Sequence, residues 1–416
     1  MILSEIDYKN DNIIVMKTKE KNIMDIYGKM LNQFYNNLPE HIIGVTGTSG
    51  KTSTVEFIRQ TIELLGIKSA SNGTLGIKFK DSSLKYDTLT MRETQDMYEK
   101  LYFLKNEKNI NYVSMEYTSH GLDQNRGVGL HPEIGIFTNI TPEHLNYHKT
   151  MEEYFNKKML FFTEVLNKGS IVILNADIPE FQKIKKICEE CNHKIISYGY
   201  NGDIKIIKIE NSLQGQKVYF KYLNKEYLLN TKFMGYYQAM NLLATFGAII
   251  SLNIEKDIPK IIHCLENIKN AEGRMEFVGK KKNGAQIYID YAHKPDALQK
   301  ILETMREHMK YEPKGRLFVL FGCGGGTDQK KRPIMGEIAN KLADVVFITD
   351  DNPRKENPDE IRKQILKGCP KAYNIAGRKN AIKEAFKMLE KNDILILAGK
   401  GHEKYILINE EKIPFD

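Results

Sequence analysis

Residues 41–66 constrain this chain more than any other stretch. His41-Ile42-Ile43-Gly44-Val45 is an apolar run of strand length, and it breaks into the turn Thr46-Gly47-Thr48-Ser49-Gly50. Lys51-Thr52-Ser53 then open a segment with Val55, Ile58, Ile62 and Leu65 on one helical face and Gly66 as its stop. A strand that runs through a glycine turn into a helix start is suited to hold phosphate. Backbone N–H groups at the helix N-terminus point at the anion and the helix dipole favours negative charge. In that geometry Gly47, Thr48, Ser49, Gly50 and Ser53 supply the cradle. Lys51 neutralises β/γ-phosphate charge and Thr52 offers its hydroxyl to Mg²⁺. Val45 stands where the usual spacing has its first glycine, so the pattern is the narrower TGTxGKT.

The rest of the chain reads as two α/β units. Met24 to Tyr35 has helical spacing and ends at Asn36-Asn37-Leu38-Pro39. Residues 1–38 are too short for a domain of their own. From 39 to 269, short apolar runs at 112–116, 134–138 and 171–174 alternate with helical or loop stretches, as a mostly parallel sheet requires. Residues 203–233 alternate and read as antiparallel ribbon, and 236–252 read as a buried helix. The polar stretch at 267–274 is the expected hinge. A second unit, 270–416, has strand candidates at 286–290, 316–321, 345–349 and 393–397. The expected fold class is α/β: a central mostly parallel P-loop domain plus a C-terminal Rossmann-like domain.

Composition excludes several function classes. The chain has 61 basic and 53 acidic residues, a net charge of +8 spread without a basic arm, which favours anionic small molecules over nucleic acid. Its N-terminus is acidic and polar, unlike a signal peptide. No apolar run reaches the roughly 18–20 residues of a membrane span. Five cysteines in 416 residues fit a reducing cytoplasm. Cys188 and Cys191 form a lone CxxC in a Lys-rich helix, without the second pair a metal site needs.

Several strands end in polar residues, where doubly wound sheets bind ligands. Glu116, at a strand end near the P-loop, is a natural Mg²⁺ partner. Thr138-Asn139 end the next strand. His144 and His148 follow, four apart beside Glu143, as metal ligands or as structural histidines. Thr150 to Glu153 is a capping box that starts a helix. On it Lys158 shares an apolar face with Tyr154 and Phe162. A charged lysine there is costly. It snorkels, which composition favours, or it loses its proton, and a neutral buried amine reacts with CO₂ to give a carbamate. In the second unit the motifs at 290–293, 322–328, 350–354 and 398–403 gather at one rim.

Taken together, TGTSGKTS, MEYTSHGLDQNR, FTNITPEHLNYHKTMEEYFNKK, GRME, DYAHKPDAL, GCGG…KRP, DDNPR and AGKGHE resemble the Mur ligase family, in its order, and most closely its MurE-type branch. The likeness runs from about Ile26 to the C-terminus. It implies an ATP-dependent ligase that phosphorylates a substrate carboxylate and lets an amino acid's amine displace the phosphate. It implies ATP and Mg²⁺ as cofactors, small-molecule substrates, a monomer in the cytoplasm, and no nucleic acid or membrane partner.

Residue by residue, the resemblance gives Lys51 and Thr52 to ATP phosphate and Mg²⁺. It gives Glu116 and His144 to metal, with Lys51, Glu116, His144 and Lys158 as the catalytic set. Lys158, not Lys157, falls where the family carries a carbamylated lysine. Thr90, Ser119 and Arg126 match acceptor contacts, and Asn241 and Arg274 match nucleotide contacts. Arg332, Asp351, Asn352, Pro353, Arg354, Gly399 and Glu403 match the amino-acid pocket. DNPR in the family goes with meso-diaminopimelate, whose second carboxylate suits Arg354. Three departures bear on the acceptor. Residues 1–38 match only the last helix of the family's first domain. One threonine of the acceptor loop remains, in Leu89-Thr90-Met91-Arg92-Glu93. The chain ends at Phe415-Asp416, before the family's final helix. The expected acceptor is UDP-MurNAc-L-Ala-D-Glu. The competing expectations are a non-UDP acceptor outside peptidoglycan synthesis and a catalytically idle ATP-binding module.

Overall fold

The short apolar runs become the inner strands of two sheets. The structure, a computed structural model, describes residues 2–4, 15–17, 23–80, 82–84, 90–311, 314–326 and 328–415. Most of residues 1–22, together with Leu89, Thr327 and Asp416, lie outside the described residues. The chain divides into two compact units: residues 1–207, 219–227 and 240–268, and residues 208–218, 228–239 and 269–416.

In the first unit the P-loop strand, His41–Thr46, lies between Tyr112–Tyr117 and Ile134–Phe137, parallel to both. Ile171–Asn175 and Lys194–Gly199 continue the parallel sheet on one side, and Ser69–Gly73 continues it on the other. Gly76–Phe79 and Ser82–Leu84 add antiparallel edge strands. Beyond Lys194–Gly199 the sheet runs on through Ile204–Ser212, Gly215–Tyr222 and Lys225–Thr231. The ribbon expected at 203–233 is therefore three strands joined by tight turns. The strands at 69–84 and 194–199 were not anticipated.

Inner strands are buried on both faces, so they read as near-continuous apolar runs. The helix Lys51–Leu64 packs Val55, Phe57, Ile58 and Ile62 into this core. Tyr236–Leu252 is the buried helix read from sequence. The CxxC lies at the end of Phe181–Glu190; both thiols are free, and burial pushes the Cys188 thiol up to about 12.

The second unit has a six-stranded sheet in the order Glu276–Lys280, Gln286–Asp290, Ile394–Ala398, Leu317–Phe321, Val345–Ile348, Tyr373–Asn374. All neighbours are parallel except the first pair. The four strands expected here all form, within a residue of the expected ends. Tyr405–Ile408 and Glu411–Pro414 make a C-terminal hairpin. Among the described residues no helix is long and apolar enough to cross a membrane.

Candidate active site

The P-loop is shaped by two glycines at which any side chain would be strained and crowded. Gly47 has φ 144°, and a Cβ there would meet Thr138 Oγ1 at 2.0 Å. Gly50, at the helix start, has φ 89°, and its Cβ would meet Asn241 Oδ1 at 2.5 Å. The loop hangs from the end of the neighbouring strand. Thr48 N donates to Asn139 O and Ser49 N to Asn139 Oδ1, while Thr138 Oγ1 and Asn139 Nδ2 donate back to Ser49 O. Thr141 N donates to Thr48 Oγ1, which also lies 3.0 Å from the Tyr154 hydroxyl. Thr52 and Ser53 are buried at the start of the helix.

Two lysines converge on one carbonyl of this loop. Lys51 Nζ donates to Gly47 O and Thr48 O, both at 2.8 Å. Lys158 Nζ donates to the same Gly47 O at 2.7 Å and lies over the Tyr154 ring. Lys158 is 1% exposed, so it does not snorkel. That overturns the composition-based expectation for its side chain. Lys157 is the one that reaches outward, pairing with Asp123 at 2.6 Å. Burial first, and the Lys51 charge second, hold the Lys158 amine well below its ordinary value, against a smaller pull from Glu143. A neutral amine is the reactive form toward CO₂.

The helix that carries Lys158, Met151–Leu160, starts where Thr150 Oγ1 accepts from Glu153 N. It then widens into one π turn, Phe161–Val165. Gly44 and Gly135, register partners on adjacent strands, make the slot that the Phe161 ring fills. A Cβ on Gly44 would lie 2.5 Å from Phe161 Cζ, and one on Gly135 would lie 3.0 Å from Phe161 Cε1. Phe161 is three residues from Lys158, so this slot sets where the lysine stands. Gly44→Ala should therefore cost about 1–3 kcal/mol by overpacking. A thermal unfolding midpoint equal to wild type would refute it.

Glu116, paired in register with Val45, ends its strand beside the loop. It is buried and accepts from Thr74 N at 2.9 Å and Thr74 Oγ1 at 3.3 Å. Thr74 Oγ1 is in turn 3.1 Å from Thr90 Oγ1. Thr74 was not singled out from sequence, because the strand before it, Ser69-Ala70-Ser71-Asn72-Gly73, carries no apolar run. His144 has a left-handed backbone, φ 57°, with its ring against His120 and 3.8 Å from Glu143. Among the described residues no three His, Cys, Asp or Glu side chains come together in a metal-holding group. The expected set of Thr52, Glu116, His144 and Lys158 has only two such residues, and carbamylation of Lys158 would add a second carboxylate beside Glu116. His148 is not beside His144 as a second ligand; its Nε2 meets Ser119 Oγ at 2.9 Å. Arg126 ties down the loop at 91–93, through Met91 O at 2.8 Å and Glu93 at 3.1 Å.

In the second unit Arg274 stacks on Tyr291, and Asp290 accepts from Met275 N and Ala292 N. Burial raises the Asp290 carboxyl. Asn352 Nδ2 donates to Glu403 Oε2 at 3.0 Å, so these two expected pocket residues do meet. Lys400 joins them. It is buried and donates to Asn352 Oδ1, Glu403 Oε2 and Tyr405 O. Gly399, with φ 107°, is the residue whose Cβ would meet Asp351 Oδ2 at 2.9 Å. Arg354 has φ 53° and follows Pro353; its N–H donates to Leu407 O, its C=O accepts from Asn409 N, and its guanidinium donates to Gly325 O.

Arg332, expected in the amino-acid pocket, has its guanidinium occupied within the protein. It is fully buried, and its guanidinium is held by Glu356 at 2.9 Å, Gln364 at 2.9 Å and Gly324 O at 3.1 Å. It braces the loop through Gly324 O and Glu356. Arg378, also missed, is buried and donates to Ala398 O at 2.7 Å.

Comparison with known proteins follows this geometry closely. A family model described as the Mur ligase middle domain matches residues 45–249, and one described as the Mur ligase glutamate ligase domain matches 273–401. The UDP-N-acetylmuramoyl-L-alanyl-D-glutamate--2,6-diaminopimelate ligase of Rickettsia bellii (strain RML369-C) is 40% identical over 400 residues, covering 95% of this chain and 83% of that protein. The chain belongs to the Mur ligase family. The like-named ligase of Chelativorans sp. (strain BNC1) is 40% identical over 384 residues, covering 92% of this Mur ligase and 78% of the relative. A solved structure of a UDP-N-acetylmuramoyl-L-alanyl-D-glutamate--2,6-diaminopimelate ligase superposes with a TM-score of 0.71 at 28% identity, over 100% of this chain and 84% of that one. The α/β architecture of this Mur ligase is thus that of its relatives.

Proposed function

We propose that this Mur ligase joins 2,6-diaminopimelate, in its meso form, to UDP-N-acetylmuramoyl-L-alanyl-D-glutamate, converting ATP to ADP and phosphate. The observation that carries the ligase reading is the P-loop with Lys51 and Lys158 on one carbonyl beside the buried Glu116. The substrate reading rests on relatives at 40% identity that bear that name. In it ATP phosphorylates the acceptor carboxylate, and the amine of diaminopimelate attacks the acyl phosphate and expels phosphate. The chain's part is positioning and charge neutralisation.

Gly47 to Ser53 receive the phosphates, with Lys51 swinging from the loop carbonyls to the β/γ-oxygens. Asn241, against Gly50, and Arg274, on Tyr291, contact the nucleotide. Thr52, Glu116, His144 and a carbamylated Lys158 would hold Mg²⁺, which when bound offsets the phosphate charge. Burial, which favours a neutral amine, supports the carbamate. Thr90, Ser119 and Arg126 face the acceptor. Asp351 to Arg354, Gly399 and Glu403 form the amino-acid pocket, and Arg332 fixes the loop around it. The reaction's substrates assign it to the cytoplasm. ADP formation that requires diaminopimelate and the acceptor together tests this reading; ADP formed at the same rate without either would refute it.

Arg354 sets the choice of amino acid. Its backbone is pinned on both sides by Leu407 and Asn409, so the loop persists when the side chain is removed. Its guanidinium pairs with the distal carboxylate that lysine lacks. Wild type should prefer diaminopimelate over lysine by about 100-fold or more in kcat/KM, and Arg354→Ala should lose that preference. Equal use of both amino acids by wild type in a competition assay would sink the assignment.

A further inference from the structure

His148 has so far no task in the reaction, yet it is one of the most enclosed polar side chains of its unit. Its ring is fully buried, and Ser119 is 2% exposed. The ring is fixed by contacts with Tyr147, Tyr154 and His120. Nε2 lies 2.9 Å from Ser119 Oγ, while Nδ1 has no hydrogen-bond partner among the described residues. The Ser119 backbone is held separately: it opens the short helix Ser119–Asp123, whose cap Thr118 accepts from Gly121 N.

We propose that His148 is a positioning residue that turns the Ser119 hydroxyl proton toward the acceptor substrate. A hydroxyl has one proton to give and two lone pairs. With the ring proton on Nε2, His148 donates to a Ser119 lone pair and leaves the Ser119 proton for another acceptor. With it on Nδ1, Ser119 must spend its proton on Nε2, and a buried N–H stands orphaned at Nδ1. Orphaned buried N–H groups are rarer than under-satisfied acceptors, so the first arrangement is the one this site selects. A carboxylate or phosphate offers only acceptor oxygens, and only the first arrangement lets Ser119 donate to it. The inference deepens the ligase reading and rests on Ser119 as an acceptor contact.

The test measures initial rates of the full chain with ATP, diaminopimelate and the UDP-muramoyl dipeptide. His148→Met fills the ring's space without a donor, and His148→Gln restores an N–H₂ near Nε2. His148→Met should raise the acceptor KM about tenfold or more, with the KM for ATP and diaminopimelate unchanged. His148→Gln should recover most of that loss, and adding Ser119→Ala to His148→Met should cost no more than Ser119→Ala alone. Equal acceptor KM in His148→Met and His148→Gln, with active wild type, overturns this inference alone. Independent, additive losses from Ser119→Ala and His148→Met overturn it as well. Wild type that forms no ADP with this acceptor overturns the ligase reading, and this inference with it.

Discussion

Lys158→Ala should fold and yet turn over substrate about 10³-fold or more slowly, with part of the rate returned by a small added carboxylate. The lysine is buried; its Nζ donates to the Gly47 carbonyl and lies over the Tyr154 ring. Its ammonium would be buried near that of Lys51, an arrangement that favours the neutral amine against a smaller pull from Glu143. Carbamylation replaces a like charge next to Lys51 by an opposite one. Removing the side chain leaves Gly47 O short of one donor, a loss of about 1–3 kcal/mol that a protein of this size tolerates. The direction with pH follows from the depressed amine: the neutral form persists to lower pH than in an ordinary lysine and is lost as pH falls through the folded-state value. Activity should therefore fall, and respond more to added bicarbonate, toward acid. Turnover equal to wild type, or an unmodified Lys158 in protein mass spectrometry performed under bicarbonate without acid exposure, would remove the assignment.

Residues 41–66 were legible because an apolar run, a glycine turn and a helical face follow each other without a tertiary partner. Glu116, Asn352 and Glu403 were legible as strand-end residues carrying a family motif. What was hidden depends on distant neighbours. Ser69–Gly73 is small and polar, and only its place beside Tyr112–Tyr117 makes it a strand. The π turn at Phe161 has no local signal, since apolar residues continue through it; its cause is the Gly44 and Gly135 slot. The resemblance assigns Arg332 to the amino-acid pocket, and its partners Glu356 and Gln364 are invisible locally because they lie 24 and 32 residues along the chain. The spacing of His148 from His144 fits a metal ligand or a structural histidine, and only the fold brings Ser119 against it. Lys400 stood inside a quoted motif, but while Glu403 and Tyr405 follow it closely in the chain, its third acceptor, Asn352, is brought to it only by the fold.

Lys51→Ala should abolish measurable ATP turnover, a loss of about 10³-fold or more, while the unfolding midpoint stays near that of wild type. The side chain is half-buried, and its Nζ donates to two carbonyls of its own loop. It fills no core cavity, so truncation removes charge and not packing. The cradle itself survives, because Gly47 and Gly50 keep their backbone and Asn139 still holds Thr48 and Ser49. What is lost is the cation that meets charge developing on the transferred phosphoryl group. A second effect separates this lysine from a merely structural one. The Lys51 charge helps hold the Lys158 amine low, so its removal should raise that amine's pKa and make carbamylation harder at a given pH. Lys51→Ala should thus need more bicarbonate than wild type to carry a modified Lys158, a readout by mass that needs no activity. Lys51→Arg keeps the charge and should keep the bicarbonate requirement near wild type even where turnover suffers from the bulkier head group. A well-folded Lys51→Ala protein with wild-type ATP turnover would show that the phosphate is held elsewhere.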